Sequence, residues 1–290
     1  MSSDISVSNF SFKLGKEDFD LSRKSLIVGI LNRTDDSFFD KGSYFAFDQF
    51  LMKADGLVAD GAHILDVGGV KAGPGRQISL DEELERVVPA VAALKERFDI
   101  AISVDTWSPE VLEATAQVGA VMGNDISGFA DPRYLEVASR FELSLVATHI
   151  RLAPRVADPN PTYSDLIGDV SSFLRERLEM AVSASVDPLR VVVDCGLDLG
   201  KTPAQSLDLL RNSATVAKFA GRPLYLSASN KGFLGDFFGL SVDQRREATL
   251  MATLYGYTNG ARLFRVHDVK GTRRALHAIE RIAEAALVNS

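Results

Sequence analysis

The chain has 290 residues, of which 46% are hydrophobic and 24% charged, so it can bury a sizeable core and is not a disordered tail. Its formal net charge is −7, so the chain lacks the excess of basic residues expected of a protein that binds nucleic acid or an anionic membrane surface. Its only cysteine, Cys195, excludes a disulfide framework and favours a reducing compartment. Because no apolar stretch is long enough to span a membrane and the N-terminus lacks a signal-peptide pattern, we expect a soluble, cytoplasmic protein.

The first patterned segment is FSFKLGKEDFDL, in which apolar and polar residues alternate around Leu14, Gly15 and Lys16. Alternation on both sides of a glycine-containing turn predicts a small hairpin. We expect this hairpin to close the floor of the fold that follows it.

Eight short apolar runs follow, each rich in β-branched residues and each ending in polar ones. Near-continuous hydrophobicity without alternation is typical of parallel strands that are buried on both faces. In chain order the runs are SLIVGILN, AHILDVGG, IAISVDT, AVMGND, LSLVATHI, RVVVDCG, PLYLSAS and ARLFRVHD.

Helical patterns separate the predicted strands. For example, Ser108-Pro109-Glu110 provides a cap residue followed by a proline at the first helical position. Eight strand–helix units predict a (βα)8 TIM barrel over about residues 25–285, within a single domain of residues 1–290. A doubly wound open sheet is the alternative, but it normally has fewer strands and a glycine-rich first turn, and GILNRTDDSF is not G-x-G-x-x-G.

Polar and charged residues follow every predicted strand. In a barrel, the carboxyl ends of the strands converge on one mouth, where such enzymes carry out their chemistry. Carboxylates and a lysine placed there have a desolvation cost, which is compensated only when they pair with a ligand or with each other. For Asp66 or Asp268 alone, a structural role fits equally well. The residues are Asn32, Asp66, Asp105, Asn124, Asp125, His149, Arg151, Asp194, Ser229, Lys231, Arg265, His267 and Asp268.

These residue types indicate a ligand with two chemically different halves. Acceptors and an amide suit a flat heterocycle rich in N–H groups, and they are provided by Asp105, Asn124 and Asp194. The first and eighth strands are neighbours in a closed barrel, and their ends suit a phosphorylated group, with Asn32, Arg265 and His267. We therefore expect a heteroaromatic ligand that bears phosphate.

Seven motifs, in this order, resemble those of dihydropteroate synthases: GILNRTDDSFFDKG, DVGGVKAGPG, SVDT, GNDISG, DCGLDLGKT, SASNKGFLG and RVHDV. The similarity runs from about Leu26 to Val269. Members of that family are (βα)8 barrels, usually homodimers. They join 6-hydroxymethyl-dihydropterin pyrophosphate to para-aminobenzoate and release pyrophosphate with help from magnesium. The resemblance implies a pterin-binding homodimer that uses Mg2+.

The resemblance also implies roles for individual residues. Asn32 matches the position that contacts magnesium and phosphate, while Arg265 and His267 match the pyrophosphate clamp. Asp40, in the first loop, matches an aspartate that stabilises the cationic pterin left when pyrophosphate departs, and it is a predicted catalytic residue together with Lys231. The pterin-holding positions are matched by Asp105, Asn124, Asp194 and Lys231.

The chain departs from the family pattern in the loops and in the aminobenzoate site. The first loop reads NRTDDSF for N-V-T-P-D-S-F, and the second reads KAGPG for S-T-R-P-G, which removes an arginine that meets pyrophosphate. D-P-G-x-G-F-G-K becomes DCGLDLGK, with Leu199 replacing the phenylalanine that lines the aminobenzoate site. S-R-K-S becomes SNKG, so Gly232 replaces the serine that receives the aminobenzoate carboxylate.

The pterin positions are thus kept while the wall for the second substrate is changed. This selective pattern predicts a pterin-binding barrel whose synthase activity is lost or very weak, as in inactive second paralogues of the family. Removing one donor that acts on the transition state costs roughly 2.7–4 kcal/mol. Lys71 and Arg76 are candidates to restore some of the lost charge from a shifted position.

Other functions stay open on the sequence alone. One is an active dihydropteroate synthase with an unusual aminobenzoate site. Another is a purely non-catalytic binder or partner-interaction protein, which would bind a pterin, an aminobenzoate or a sulfone analogue without turnover. A methyltetrahydrofolate-binding methyltransferase would need a corrinoid partner and no pyrophosphate clamp, so Arg265 and His267 argue against it. Cys195 is predicted to be a small buried hydrophobe rather than a nucleophile.

Overall fold

The computed structural model describes residues 11–22, 24–34, 47–73 and 75–288, with side chains described as far as residue 282. Asp40 lies outside the described residues, so its assigned catalytic role stays a prediction. The same holds for the altered part of the first loop beyond Thr34.

Strands and helices alternate along most of the described chain. The strands are β1 (Ser11–Leu14), β2 (Glu17–Asp20), β3 (Leu26–Asn32), β4 (Ile64–Gly68), β5 (Ala101–Asp105), β6 (Met122–Asp125), β7 (Ser144–Thr148), β8 (Val191–Asp194), β9 (Leu224–Leu226) and β10 (Ala261–Val266). The α-helices are α1 (Phe47–Asp60), α2 (Leu80–Arg97), α3 (Pro109–Gln117), α4 (Arg133–Arg140), α5 (Leu166–Ser183), α6 (Pro203–Arg211), α7 (Ser213–Ala220), α8 (Gly232–Phe238), α9 (Arg246–Thr258) and α10 (Val269–Val288).

Strands β3 to β10 form a closed parallel barrel in the order β10-β3-β4-β5-β6-β7-β8-β9. Closure occurs where β10 pairs with β3, with Arg265 beside Val28 in the register. Each of the eight predicted runs contains one barrel strand, so the (βα)8 prediction is confirmed and the open doubly wound sheet is excluded. The prediction succeeded because strands buried on both faces need apolar residues at nearly every position.

Local signals fix several helix starts. Ser108 accepts a hydrogen bond from the Val111 N–H, and Pro109 occupies the first turn of α3, as its missing N–H allows. The Ser79 side chain caps α2 in the same way by accepting from the Glu82 N–H. Among the described residues, no helix is both long enough and apolar enough to cross a membrane.

The predicted N-terminal hairpin is confirmed as β1 paired antiparallel with β2. Phe12 and Leu14 are buried and join a cluster with Leu26, Ile64 and other residues from the amino-terminal halves of the barrel strands. The hairpin therefore plugs the floor, leaving the opposite, carboxyl-terminal mouth for a ligand.

Candidate functional site

The mouth of the barrel contains a cavity of about 620 Å³, a size suited to a small aromatic ligand. Every described residue to which the sequence assigned a pterin, pyrophosphate or metal role lines this cavity. They are Asn32, Asp105, Asn124, Asp194, Lys231, Arg265 and His267.

An ion-pair network centred on Arg265 crosses the base of the cavity. The Arg265 guanidinium donates from Nε to Asp66 Oδ2 at 2.6 Å and from Nη2 to Asp105 Oδ2 at 2.7 Å. Asp66 is fully buried, and it also accepts from Ser103 Oγ at 2.6 Å and from Asn124 Nδ2 at 3.2 Å. Asp66 therefore positions the cavity residues from below and is itself satisfied by three donors.

Burial and charge act against each other in this network. Burial raises the pKa of the Asp105 carboxyl, and the attraction of Arg265 only partly offsets that rise. Burial by itself lowers the pKa of Arg265, but Asp66 and Asp105 outweigh this effect and raise it. The guanidinium thus stays charged between two carboxyl groups whose desolvation it compensates.

Another part of the wall contains the buried Asp194 and the partly buried Lys231. Asp194 Oδ1 accepts from the Gly196 N–H at 2.7 Å, and Lys231 Nζ donates to the Leu197 carbonyl at 2.6 Å. Burial raises the pKa of Asp194 and lowers that of Lys231, while the charge of each residue opposes the shift of the other. This wall of the cavity therefore offers both an acceptor and a donor.

The residues assigned to the phosphate lie at the junction of β10 and β3, as predicted. His267 Nδ1 lies 2.9 Å from Ser229 Oγ, and burial, aided by Arg265, lowers the His267 pKa to about 3, so the imidazole is neutral near pH 7. Asn32 Oδ1 would lie 3.0 Å from a Cβ placed on Gly68, so a glycine at this position gives the amide its space.

Two other predicted strand-end residues have a structural role, because they accept hydrogen bonds from nearby backbone N–H groups. Asp125 is fully buried, and its carboxylate accepts from the Ser127 N–H at 2.6 Å and the Phe129 N–H at 3.0 Å. Asp268 accepts from the Gly271 N–H at the start of α10. Neither residue lines the cavity, so the expectation that every strand-end group faces the mouth is wrong for both.

Two residues that follow β7, the fifth barrel strand, also do not face the mouth as expected. His149 is buried with its Nδ1 2.8 Å from Lys201 Nζ, and Arg151 forms an ion pair with Asp158. Neither lines the cavity, which Thr148 borders instead. Successive side chains of a strand point to opposite faces, so a difference of one position decides which of two neighbours enters the barrel.

The two candidates for replacing the lost loop charge behave differently. Lys71 lines the cavity. Arg76 instead binds Glu82 through two hydrogen bonds of 2.9 and 2.6 Å, and it is not among the residues that line the cavity. Only Lys71 therefore lies where it can meet a ligand.

Tyr225 and Asp198 are among the cavity residues that the sequence reasoning did not single out. Tyr225 is 1% exposed, and its hydroxyl makes no hydrogen bond with a described residue, which is uncommon for a buried polar group. Asp198 has a left-handed backbone with φ of 67° and accepts from the Phe233 N–H at 3.2 Å. The signals were a tyrosine within the apolar run PLYLSAS and an aspartate where D-P-G-x-G-F-G-K has glycine.

A closed barrel whose mouth combines buried carboxylates, an amide, a lysine and a neutral histidine matches the class of pterin-binding barrels. The family model described as "Pterin binding enzyme" matches residues 28–267. The chain is 39% identical over 265 residues to the "Inactive dihydropteroate synthase 2" of Mycobacterium leprae, covering 89% of this chain and 91% of that protein. It therefore belongs to the dihydropteroate synthase family of pterin-binding enzymes.

Proteins named as synthases are also similar to it. The dihydropteroate synthase of Haemophilus influenzae is 35% identical over 260 residues, covering 89% of this chain and 94% of that protein. The crystal structure of Yersinia pestis dihydropteroate synthase with a sulfonamide drug complex aligns with a TM-score of 0.89 and 34% identity, covering 96% of this chain and all of that one.

Proposed function

We propose that this protein binds a pterin pyrophosphate in the mouth of the barrel and has lost synthase activity or retains very little. One observation carries the proposal: a single cavity contains the kept pterin positions and the altered aminobenzoate wall, where Leu199 and Gly232 replace a phenylalanine and a serine. The relative named as inactive supports the second half of the proposal.

The kept residues suit the pterin ring. Asp105 and Asp194 provide carboxyl oxygens for ring and amino N–H groups, and the Asn124 amide carbonyl can accept a further one. Lys231 adds a donor, and the Tyr225 hydroxyl, which lacks a partner among the described residues, would gain one from a bound heterocycle. A ligand would thus compensate the desolvation that these groups carry.

The pyrophosphate would lie against Asn32, Arg265 and His267. The described residues contain no cluster of three or more acidic, histidine or cysteine ligands. The donor set therefore fits Mg2+ held mainly by phosphate oxygens and water, with Asn32 Oδ1 as a protein oxygen. Such an ion would neutralise charge that develops on the leaving pyrophosphate.

Weak turnover follows from what replaces the family's donors. The second loop lacks the arginine that meets pyrophosphate, and Arg265 already holds Asp66 and Asp105. Loss of a single transition-state donor lowers the rate by about two to three decades. The phenylalanine and serine missing at Leu199 and Gly232 would weaken contacts with the second substrate. These effects on the rate need not add to that of the missing arginine.

Calorimetric titration tests binding and chemistry separately. The full chain is titrated with 6-hydroxymethyl-dihydropterin pyrophosphate plus Mg2+, then with para-aminobenzoate, and product is measured by mass spectrometry. We expect saturable pterin binding with little or no dihydropteroate. Binding should be lost in Lys231→Met and kept in Asp208→Asn, which changes an exposed carboxylate on α6. Absence of pterin binding, or product formation at the rate of an active synthase, would refute the proposal.

The second candidate is an active synthase, which the similarity to the Haemophilus influenzae enzyme favours. Complementation of a synthase-null bacterial strain distinguishes the two. We expect the wild-type chain, although folded and expressed, not to complement. If the altered wall is the cause, the double variant Leu199→Phe/Gly232→Ser forms more product than the wild type.

A homodimer is part of the same proposal. Consecutive helices expose large apolar side chains, including Phe238 on α8 and Met251 on α9, which are 54% and 60% exposed. Apolar surface of this kind favours association. We expect light scattering to give twice the mass of one chain, and a monomeric mass for wild type would contradict this. The cytoplasmic location stays a prediction.

A further inference from the structure

Asp198 is fixed in an unusual position on the wall of the cavity. Its φ of 67° lies in the left-handed region, which aspartate adopts more readily than most side chains but glycine adopts freely. Its Oδ2 accepts from the Phe233 N–H at 3.2 Å, and its Oδ1 accepts from Ser206 Oγ at 3.3 Å. The carboxylate is therefore held from two sides.

The Asp198 carboxylate leaves little room for a side chain at position 232. A Cβ placed on Gly232 would lie 3.3 Å from Asp198 Oδ2, tighter than an ordinary contact. The family motifs have glycine at position 198 and serine at position 232, whereas this chain has aspartate and glycine. A carboxylate that belongs to the chain has thus come to border the position that receives the aminobenzoate carboxylate in the family.

We propose that Asp198 is a specificity-determining residue, which makes this end of the cavity favour a neutral or cationic aromatic amine over an anionic aminobenzoate. The inference rests on the proposed function, which places the second-substrate wall at Leu199 and Gly232. An incoming carboxylate would compete with Asp198 for the Phe233 N–H and would meet a like charge close by.

Three basic side chains on or next to this wall of the cavity already donate hydrogen bonds to the protein backbone. Lys231 Nζ donates to a backbone carbonyl at 2.6 Å and is attracted to both Asp194 and Asp198. Lys201 Nζ donates to the Leu199 carbonyl at 3.0 Å. The Arg245 guanidinium donates to two backbone carbonyls at 3.0 and 3.2 Å. An anionic ligand would have to displace one of these contacts, whereas a ligand with N–H donors could bind Asp198 directly.

Three compounds of similar shape and different charge test this preference. The full chain is titrated by calorimetry with 4-aminobenzoate, 4-aminobenzamide and 4-aminobenzamidine at pH 7.5. In the wild type we expect the amide to bind about ten-fold more tightly than the acid, and the amidine at least as tightly as the amide. Two affinity ratios are compared: amide over acid, and amidine over amide. Asp198→Asn keeps the shape of the side chain and an acceptor oxygen but removes the charge, so it should reduce both ratios towards one.

Asp208→Asn is the matched control, because it removes the same charge from an exposed side chain on α6 and should leave both ratios unchanged. If Asp198→Asn does not fold, Asp198→Gly replaces it, since glycine adopts this backbone conformation without strain. Three results would overturn the inference: no saturable binding of the amide to the wild type, equal or tighter binding of the acid, or ratios unchanged by both position-198 variants.

The outcome is independent of the pterin titration. If the pterin pyrophosphate does not bind but the charge preference is found, the proposed function fails while the role of Asp198 stands. If the pterin pyrophosphate binds and the preference is missing, only the role of Asp198 fails.

Discussion

Arg265 Nε donates to Asp66 Oδ2 at 2.6 Å, and this bond joins β10 to β4 across the intervening strand β3. The two residues are 199 positions apart in the chain, and Asp66 is fully buried. Because Arg265 is also held by Asp105, the guanidinium is fixed at the mouth of the barrel by the protein alone.

Replacing Asp66 tests this network. Asp66→Asn removes the charge that compensates buried Arg265 and leaves an amide among three donors. Breaking a buried ion pair by removing one partner typically lowers the free energy of unfolding by about 3–5 kcal/mol. Urea denaturation followed by circular dichroism measures the change. As a control, Asp55→Asn breaks the exposed pair with Arg97 and should have a much smaller effect. An equally small effect at Asp66 would contradict the prediction.

The stability of the protein should depend on pH through Lys201. Burial lowers the pKa of this amine from 10.5 to about 7, so between these values the unfolded chain holds a proton that the folded chain lacks. Stability therefore rises with pH in this window, by up to about 1.4 kcal/mol per pH unit. The test is the free energy of unfolding at pH 7 and pH 9 for wild type and Lys201→Met. The wild type should gain relative to the variant, and a constant or falling difference would exclude the shift.

Cys195 should be unreactive in the folded protein. The side chain is 3% exposed, and burial raises its pKa to about 12, so the thiolate that reacts is scarce at neutral pH. Titration with a thiol reagent at pH 8 should show no rapid labelling in buffer and one thiol per chain in guanidinium chloride. Rapid labelling of the native protein would show that the thiol is accessible and ionised.

Arg33 should stabilise the start of the first loop. It replaces the valine of the family pattern, donates to the Arg86 carbonyl at 2.8 Å, and lies 5.1 and 5.6 Å from the ring centres of Phe47 and Phe50. Arg33→Lys keeps the charge but loses the planar group, so the free energy of unfolding should fall by about 0.5–2 kcal/mol.

The control for this substitution is Arg133→Lys, in which the wild-type arginine is exposed and binds acidic side chains near the surface. We expect this control to leave the urea midpoint nearly unchanged. A midpoint for Arg33→Lys that equals the wild-type value would show that the aromatic contacts contribute nothing measurable.

The fold was predictable because its signals are local. Each barrel strand is a short apolar run, and the Ser108 cap with Pro109 marks a helix start, so neither feature depends on distant residues. The described residues that were assigned to the ligand lie around one cavity, as expected where the carboxyl ends of parallel strands share one mouth. Asn32, Arg265 and His267 accordingly line one cavity.

The face on which a strand-end residue lies could not be predicted. Asn124 enters the cavity while the adjacent Asp125 caps a turn, and Thr148 borders the cavity while His149 packs beside Lys201. Alternation along a strand makes such neighbours opposite in direction, and the sequence does not show which of the two points inward.

The sequence by itself determined the eight-strand barrel, its floor hairpin and the chemical character of its mouth, because periodicity and composition act over a few residues. Only the tertiary structure decided that Asp66 is tied to Arg265 and that Asp198 reaches the Phe233 N–H. Those contacts join residues 199 and 35 positions apart. They depend on barrel closure and on the fixed direction of each side chain, which hydrophobic patterning does not encode.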